Sequence, residues 1–448
     1  MKKGILIIFT AIAVIFGGCK QEFTPASLDK IRLAWNDNPE TTVTIGWDQL
    51  GAENPVVYYD TKDHGQSWKK YGQSQNPTRE VSHLTMNTRF CDLSGLLPNT
   101  SYYFVIKDSE GVSDRFWFKT APDKPTPFTC IMGGDTKCKD EALIAGRFTK
   151  RMVPILRPLF VLFNGDFTHD GITAEHWEQW LTDWFELTRA EDGRLFPIVA
   201  VMGNHENRDL EVLNKVFNTP YQFENPENIY YSLSFGGDFI HIISLNSEIE
   251  LGGEQRQWLE EDLKKSENYI FKFAACHKPF RPHTSRKSER ITQYQQWAYL
   301  FHEHGLDIYL DADSHISKIT FPVKPDSING YEGFVRDDIN GTMHLGEGSW
   351  GATPRAVDDD KPWTLRSGSF NQVKWLQVFP ETETAEARID IRTVITATRD
   401  SLDQPVSHVE GVSALSEEDV FAVPEGIDLF STEPYGNVIT YPFVDNNK

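Results

Sequence analysis

Five short polar blocks constrain the fold of this chain more than any other feature of its sequence. The blocks are Gly134-Asp135, Gly165-Asp166-Phe167-Thr168-His169, Gly203-Asn204-His205-Glu206, Cys276-His277-Lys278-Pro279 and Asp313-Ser314-His315. Four of them directly follow a short apolar run that has the character of a buried strand. Because ligands collect beyond the carboxyl ends of the strands in an α/β sheet, the pattern predicts an α/β domain with a polar site there.

The side chains of these blocks share one kind of chemistry. Each block supplies a carboxylate, an amide or an imidazole. Carboxylate and amide oxygens mixed with imidazole nitrogens suit divalent or trivalent first-row metal ions. Two such ions about 3.5–4 Å apart are the usual clamp for hydrolysis of a phosphoester. The series therefore predicts a metal-dependent phosphoesterase.

The amino terminus has the pattern of an export signal. Lys2 and Lys3 precede an apolar stretch, residues 4–16, that is too short to span a bilayer. Gly17-Gly18-Cys19 resembles a bacterial lipobox, which implies cleavage before Cys19, lipidation of its thiol and a membrane anchor. Lys20 does not resemble the aspartate that retains lipoproteins at an inner membrane, so the outer membrane is favoured. The alternative is an ordinary cleaved signal with an incidental cysteine.

The net charge and the cysteine count limit the kinds of partner and of cross-link that this chain can have. The chain has 448 residues and a formal net charge of −21, which argues against binding nucleic acid or an acidic membrane through bulk charge. An acidic protein that acts on a small phosphorylated substrate needs local positive charge, which bound metals would provide. The four remaining cysteines are too few for a disulfide framework. A bridge between Cys130 and Cys138, which flank the first block, stays open in an oxidising periplasm.

The segment that follows the signal and tether is predicted to be a β-sandwich. A signal (1–18) and a polar tether (19–30) precede a strand-rich segment, 31–122, that ends at a Pro-rich boundary. Alternating β-branched and aromatic residues separated by turn signals predict six strands there: Ile31–Trp35, Thr42–Trp47, Val56–Tyr59, Thr88–Leu93, Ser101–Lys107 and Asp114–Lys119.

From residue 128 the pattern changes to alternating strands and helices, as in an α/β layered domain. The predicted strands are Phe128–Met132, Leu159–Phe163, Ile198–Met202, Phe239–Leu245, Tyr269–Ala275, Leu306–Leu310, Val373–Val378 and Ala387–Val394. Trp177–Leu187 and Gln255–Leu263 carry apolar residues at helical spacing, which indicates core-facing helices. This second domain is predicted over 128–398, and 399–448 forms a carboxyl-terminal extension.

The five blocks, in this order, resemble the metal-binding motifs of purple acid phosphatases and their relatives in the calcineurin-like metallophosphoesterase family. The segments Thr41–Trp47, Leu93–Thr100 and Phe118–Pro122 resemble the fibronectin-type domain that precedes the catalytic domain in those proteins. The resemblance covers roughly residues 28–395. It implies a fibronectin-III-like β-sandwich followed by a four-layer α/β/β/α domain.

The resemblance also implies a ligand role for five residues. Asp135 and His315 would bind a first metal, Asn204 and His277 a second, and Asp166 would bridge the two. A hydroxide held on the metals would then attack phosphorus in line.

Four residues on two loops are candidates for catalysis or for holding the substrate. His205 matches the family histidine that contacts the phosphoryl group or protonates the leaving oxygen. His283, on a loop rich in proline and arginine, is a candidate second acid, and Arg281 or Arg286 is a candidate for holding a substrate phosphate. The alternative for this loop is a plain surface segment.

Two departures from the family pattern affect the metals. His169 stands where the coloured iron enzymes have tyrosine, and Lys137 stands where many relatives have histidine, so His169 is predicted to supply the missing nitrogen ligand. Asp313 replaces a histidine expected on the second metal. These changes disfavour an Fe(III)–tyrosinate site and favour two divalent ions, Mn, Zn, Fe or Mg. The alternatives are a histidine outside the ligand shell, and a centre weakened by the loss of a ligand.

The leading prediction is an exported, lipid-anchored phosphoesterase with two metals, whose substrates are phosphate monoesters. The first alternative is a phosphodiesterase of the same family. The second is a catalytically decayed surface protein that binds its partner through the β-sandwich.

Overall fold

A computed structural model describes residues 23–137, 140–328 and 330–445 of the chain. The predicted lipidation site at Cys19 and the predicted partner of Cys130, Cys138, lie outside these described residues. Within them, no helix combines the length and the apolarity needed to cross a bilayer.

The elements are numbered in chain order. The strands are β1 (Leu28–Ala34), β2 (Val43–Gln49), β3 (Val56–Asp60), β4 (Gln73–Gln75), β5 (Arg79–His83), β6 (Met86–Leu93), β7 (Ser101–Lys107), β8 (Phe116–Lys119), β9 (Phe128–Gly133), β10 (Phe160–Phe163), β11 (Ile198–Ala200), β12 (Tyr231–Phe235), β13 (Ile240–Ser244), β14 (Phe271–Ala275), β15 (Ile308–Leu310), β16 (Ser317–Ile328), β17 (Tyr331–Arg336), β18 (Thr342–Gly346), β19 (Thr364–Gly368), β20 (Asn371–Phe379), β21 (Arg388–Arg399), β22 (Pro405–Ser407) and β23 (Ile439–Tyr441). The helices are α1 (Asp140–Lys150), α2 (Met152–Leu156), α3 (Ala174–Thr188), α4 (Val212–Phe217), α5 (Gly253–Lys265), α6 (Ile291–Gln293) and α7 (Tyr299–Glu303). A π-helical turn, Tyr294–Ala298, joins α6 to α7, and Trp68–Lys70 forms a 3₁₀ turn.

The amino-terminal domain is a pair of packed sheets. Strands β1, β2, β6 and β5 lie in one sheet, and β4, β3, β7 and β8 form the other. Trp47 and Phe104, both fully buried, belong to the hydrophobic cluster between them. All six predicted strands are present with small shifts at their ends, while β4 and β5 were missed because their short polar sequences lack apolar alternation.

The first of these sheets continues into the second domain. Its full order is β22-β21-β20-β9-β10-β11-β1-β2-β6-β5, with β23 paired to β21. The link is a parallel pairing of β1 with β11, through Ala34 and Ile198. The two domains therefore share one sheet across the Pro-rich boundary.

The second domain has four layers. A second sheet, of order β12-β13-β14-β15-β18-β16-β17 with β19 on β16, packs against the shared sheet. One core cluster joins them, with Val161 and Trp375 from the shared sheet and Phe273 and Leu345 from the second. Helices α1 to α3 cover the outer face of the shared sheet, and α5 with the helical segment at 291–303 covers the second. This α/β/β/α arrangement after a β-rich domain confirms the predicted fold class.

The parallel strands explain why the polar blocks meet. Strands β9, β10 and β11 run parallel in one sheet, and β13, β14 and β15 run parallel in the other. Each block begins within about three residues of the carboxyl end of β9, β10, β11, β14 or β15. The packed sheets therefore bring all five loops to one end of the domain.

A buried carboxylate ties the carboxyl-terminal strand to this core. Asp307, just before β15, accepts a hydrogen bond of 2.7 Å from the Lys272 N–H and one of 2.8 Å from the Tyr441 hydroxyl in β23. Burial raises the pKa of Asp307 to about 6, although both hydrogen bonds act to lower it. Protonation of Asp307 is therefore favoured by folding.

We expect Asp307→Asn to stabilise the protein at neutral pH but not in acid. Because the pKa of Asp307 is higher in the folded protein, its protonated form contributes to the free energy of unfolding. This contribution is fully present below pH 3.8 and is lost as the pH rises through about 6. Asparagine resembles the protonated acid at every pH, so the variant should gain about 3 kcal/mol over the wild type at pH 8 and almost nothing at pH 3.8. Urea unfolding at several pH values measures this difference. The exposed Asp238→Asn serves as control, and an equal difference at both pH values would contradict the prediction.

Candidate metal centre

Six of the seven predicted metal ligands converge in the structure. One group of mutually close ligand atoms comes from Asp135, Asp166 and His315, and another from Asp166, His277 and Asp313, with all atoms in each group within 4.8 Å of one another. The Asn204 amide oxygen lies 3.1 Å from His277 Nε2 and so joins the second group. Asp166 belongs to both groups, which agrees with the bridging role that the family resemblance implies for it.

Four of these ligands have a strained backbone. The φ angles of Asp135, Asp166, Asp313 and His315 are 63°, 55°, 65° and 55°, in the left-handed region that residues with a Cβ seldom adopt. Such strain persists where the surrounding structure imposes it, and it concentrates at functional sites. Here the Asp313 N–H donates to Asp135 Oδ2 over 2.8 Å, which fixes two ligand loops against each other.

Gly348 packs closely against the ligand Asp135. A Cβ at Gly348, whose φ is +83°, would lie 1.8 Å from Asp135 Oδ2. Both the close approach and the backbone conformation therefore require glycine at this position.

Groups outside the ligand set orient it. The Asn164 carbonyl lies 2.7 Å from His277 Nδ1, which directs His277 Nε2 to within 3.2 Å of Asp166 Oδ1. A second anchor for an imidazole ligand of this kind fixes both its tautomer and its orientation.

Glu206 is a functional residue to which the sequence assigned no role. Its carboxylate, fully buried, accepts a 2.9 Å hydrogen bond from the Asp166 N–H and a longer one from the Thr168 N–H. Burial, and then the charge of Asp166, raises the pKa of Glu206 to about 8. Glu206 therefore holds the strained loop of the bridging carboxylate, and the signal for it was its place at the end of the Gly-Asn-His-Glu block.

The electrostatics of the centre favour cations. Burial acts to raise the pKa of Asp166, but the charges of His277 and Lys137 hold it well below its usual range. Burial acts to lower the pKa of His277, and the charge of Asp166 overcomes this and raises it to about 10. The buried carboxylates thus create a strong negative potential at the ends of the strands.

The residues present fit two divalent ions. Asp135 Oδ1, Asp313 Oδ2 and His315 Nε2 are buried and make no hydrogen bond within the described chain. Asp135 Oδ1 and His315 Nε2 also lie only 3.2 Å apart, so that both are directed at the same point. Buried polar atoms without partners are costly, and a metal ion would satisfy them. Mixed carboxylate, amide and imidazole donors suit Mn, Zn, Fe or Mg.

Lys137 stands where a nitrogen ligand was expected. Its ammonium lies 3.0 Å from Asp166 Oδ2 and also contacts His205 Nε2. The seventh predicted ligand, His169, is exposed and lies outside both ligand groups in the described part of the chain, with its ring centroid 5.6 Å from that of His205. The structure therefore places a cation, rather than the His169 imidazole, beside the bridging carboxylate.

A second lysine compensates the unusual Asp313. Lys287 Nζ contacts Asp313 Oδ1, and Arg290 Nη2 lies 3.9 Å from Asp313 Oδ2. Burial acts to raise the pKa of Asp313, but His277 and Lys287 lower it below its usual range. The negative charge that aspartate adds in place of histidine is thus offset locally.

His205 lies at the mouth of the centre. The backbone N–H of His205 donates to Asp166 Oδ1 over 2.9 Å, and its ring forms a hydrogen bond with the His169 carbonyl through Nδ1. A quarter of its side chain is exposed. A group bound at the metal centre could therefore reach the His205 ring.

The structure does not bring His283 or Arg281 to the centre. His283 is buried, and its Nδ1 lies 3.2 Å from Glu347 Oε1, which also accepts from Lys318. Arg281 is buried as well, donates to the Glu332 carbonyl over 2.9 Å and stacks on the Tyr294 ring. His283 and Arg281 are enclosed by residues of the β16–β18 region, so the structure does not support their predicted catalytic roles, whereas Arg286 of the same loop is exposed and lines the pocket.

A cleft opens beside the ligand groups. Its volume is about 640 Å³, and its lining includes Lys137, His169, Arg286, His315 and Arg355. That volume lies within the range of small-molecule sites. Since His315 belongs to the first ligand group, the cleft leads to the candidate metal centre.

Comparison with known proteins gives a match in each of the two domains. Residues 28–120 match the family model for the N-terminal domain of purple acid phosphatases, and residues 140–317 match that for calcineurin-like phosphoesterases. An uncharacterized protein of Mycobacterium tuberculosis is 21% identical over 373 residues, spanning 72% of this chain and 69% of its own length.

Two purple acid phosphatases also align with the chain. A probable purple acid phosphatase of Arabidopsis thaliana is 27% identical over 237 residues, which is 49% of this chain and 51% of that protein. The structure of a purple acid phosphatase from yellow lupin seeds aligns with a TM-score of 0.65 at 14% identity, over 92% of this chain and 78% of that one. At this identity, the structural likeness is one of fold.

Proposed function

The chain is a purple acid phosphatase-like member of the calcineurin-like phosphoesterase family, and from this we propose that it hydrolyses small phosphate monoesters at the cell envelope. The observation that carries the proposal is the convergence of Asp135, Asp166, His277, Asp313 and His315 into two groups that share Asp166. Metal-dependent hydrolysis of phosphoesters is the chemistry of this family. The ester class, the metals and the location are the proposed parts.

The metals would sit among residues already described. Asp135, Asp166 and His315 would hold one ion, and Asp166, Asn204, His277 and Asp313 the other. When bound, two divalent ions supply Lewis acidity toward the phosphoryl oxygens and toward water. Donors of this set favour Mn, Zn, Fe(II) or Mg over an Fe(III)–tyrosinate pair.

His205 and Lys137, at the mouth of the metal centre, are the proposed catalytic side chains. His205 is partly exposed and its backbone N–H is bonded to Asp166, which supports a role in giving a proton to the leaving oxygen. General-acid help of this kind is worth about 10²–10⁴ in rate. Lys137, in contact with His205, adds a positive charge where a phosphoryl group would approach.

The proposed location rests on the amino-terminal sequence. A short apolar stretch behind Lys2 and Lys3, followed by Gly17-Gly18-Cys19, supports export and lipidation at Cys19. We propose an outer-membrane lipoprotein that meets its substrate outside the cytoplasm.

A second candidate is a protein that binds phosphorylated ligands without turnover. Lys137 in place of a nitrogen ligand, and Lys287 on Asp313, are the observations that favour it. In that case the centre would hold fewer than two metals, and the cleft would act as a binding site.

The test is hydrolysis of 4-nitrophenyl phosphate and bis(4-nitrophenyl) phosphate by residues 20–448, stripped of metal and reloaded with Mn, Zn or Mg. We expect metal-dependent turnover, a higher kcat/KM for the monoester and two ions per chain by mass spectrometry of the metals. A higher kcat/KM for the diester would make the protein a phosphodiesterase. An absence of turnover with every metal, together with one ion or none, would replace the proposal with the binding protein.

A further inference from the structure

Five basic side chains surround the mouth of the metal centre in a protein whose formal net charge is −21. Three of them, Lys137, Lys287 and Arg290, face the ligand carboxylates Asp166 and Asp313. The other two, Arg286 and Arg355, line the cleft of about 640 Å³. We call this space the cationic cleft, defined by Lys137, His169, Arg286, His315 and Arg355.

Arg355 is held firmly at the cleft. Its backbone N–H donates to the His315 carbonyl over 3.0 Å, and its guanidinium donates through Nη1 to the Asp313 carbonyl over 2.9 Å. Both acceptors belong to residues of the ligand groups. One donor of the guanidinium is therefore used for anchoring, and the others remain for a ligand in the cleft.

Arg286 reaches the cleft from a second segment that is tied to the first. Ser285, its neighbour, bonds to Asp358 twice, through its N–H and its hydroxyl, each over 2.7 Å. Lys287, on the other side, contacts Asp313. The backbone on both sides of Arg286 is thus fixed, while the side chain itself is exposed.

Neither guanidinium has an acidic partner in the described chain. No carboxylate oxygen of the described residues lies within 4.0 Å of a side-chain nitrogen of Arg286 or Arg355, although Asp140 and Glu141 also line the cleft. Arg290, by contrast, lies 3.9 Å from a carboxylate oxygen of Asp313. Two unpaired guanidiniums on fixed segments form a preorganised site for an oxyanion, because arginine binds phosphate and carboxylate with parallel hydrogen bonds.

We propose that the cationic cleft binds a second anionic group of the substrate, so that the preferred substrates are phosphate esters that carry a further phosphate or carboxylate a few atoms from the scissile phosphoryl group. This inference rests on the proposed function, which places that phosphoryl group at the metal centre. In a chain this acidic, a second anion is repelled at long range, so local cations decide whether it is accepted. Arg286 and Arg355 then act as specificity residues, and neither touches the reacting atoms.

The test is binding of three non-hydrolysable phosphonates to the Mn-loaded protein by titration calorimetry. Butylphosphonate carries one anionic group, while butane-1,4-diyl bisphosphonate and 4-phosphonobutanoate carry two. We expect both compounds with two anionic groups to bind at least tenfold more tightly than butylphosphonate. The order of their two affinities shows whether phosphate or carboxylate is the natural second group. Equal affinity for all three would overturn the proposal.

Variants locate the effect. Arg286→Gln is expected to remove most of the tenfold preference, and Arg286→Lys to keep part of it. Arg151→Gln is the matched control for loss of one charge, because Arg151 follows the far end of α1, about 14–16 Å from the residues of that helix that line the cleft. A preference that survives unchanged in Arg286→Gln would overturn the assignment of this residue.

The outcomes for the cleft and for the proposed function are separable. Turnover of 4-nitrophenyl phosphate without any preference for a second anionic group would leave the phosphoesterase standing and reject the cleft. A preference that depends on Arg286, in a protein without turnover on any ester, would keep the cleft and reject hydrolysis.

Discussion

Replacing Asp166 with asparagine is expected to lower metal-dependent kcat/KM on the order of 10³-fold and to reduce the number of bound ions below two. Asp166 is fully buried and is the residue common to both groups of ligand atoms. Asparagine keeps the shape of the side chain, so the hydrogen bond from the His205 N–H to Oδ1 can persist. The change removes the negative charge and one of the two oxygens, and a single amide oxygen cannot serve two cations.

The measurement combines steady-state kinetics with a count of metals per chain. Circular dichroism and the unfolding midpoint show whether the variant still folds. Asp170→Asn is the matched control, since Asp170 lies four residues further on and bonds to the exposed Arg208. Full activity and two ions in Asp166→Asn would show that the centre is not built around this residue.

Trp180→Ala is expected to have the largest effect on stability, with a loss of about 3–5 kcal/mol. The Trp180 side chain is fully buried, stacks on Trp184 with ring centroids 5.0 Å apart and meets the Phe167 ring edge-on at 5.1 Å. Its Nε1 donates to Thr136 Oγ1 over 3.2 Å. Phe167 and Thr136 directly follow Asp166 and Asp135, so one aromatic ring supports the loops of two metal ligands.

Urea unfolding of the metal-free protein measures the loss, and metal titration measures its consequence at the centre. We expect metal affinity to fall roughly 10–100-fold, as for other residues that orient ligands. Trp180→Phe should lose less on both counts, since it keeps most of the ring contacts but not the hydrogen bond. Unchanged metal affinity in Trp180→Ala would show that the ligand loops do not depend on this packing.

The sequence predicts the parts of the fold in which each apolar run is followed by a polar block. Strands β9, β10, β14 and β15 are mostly apolar and are each followed within three residues by a ligand, so both signals agree there. Strand β16 could not be recognised, because Pro322 and Pro325 argue against a strand, and its pairing with β18 shifts register between Ile319 and Pro322. Such a shift depends on the neighbouring strand, which local sequence does not specify.

The ligands of the site were predictable for the same local reason, and their partners were not. Each ligand follows a strand end, whereas Lys287 reaches Asp313 across 26 positions of sequence. The burial of His283 depends on Glu347, 64 positions away. Long-range pairs of this kind arise from the packing of whole sheets, so a motif can identify a ligand without showing which charge balances it.

The pairing of β1 with β11 gives the amino-terminal domain a structural role that does not depend on binding a ligand. Without β1, the backbone N–H and C=O groups of β11 would be unpaired at the margin of a sheet that is otherwise hydrophobic on both faces, and such a margin invites other chains to add to it. The β-sandwich covers it and continues the sheet to strands with more polar faces. The amino-terminal domain therefore covers a strand edge of the catalytic domain, although none of the ligands described above lies in it.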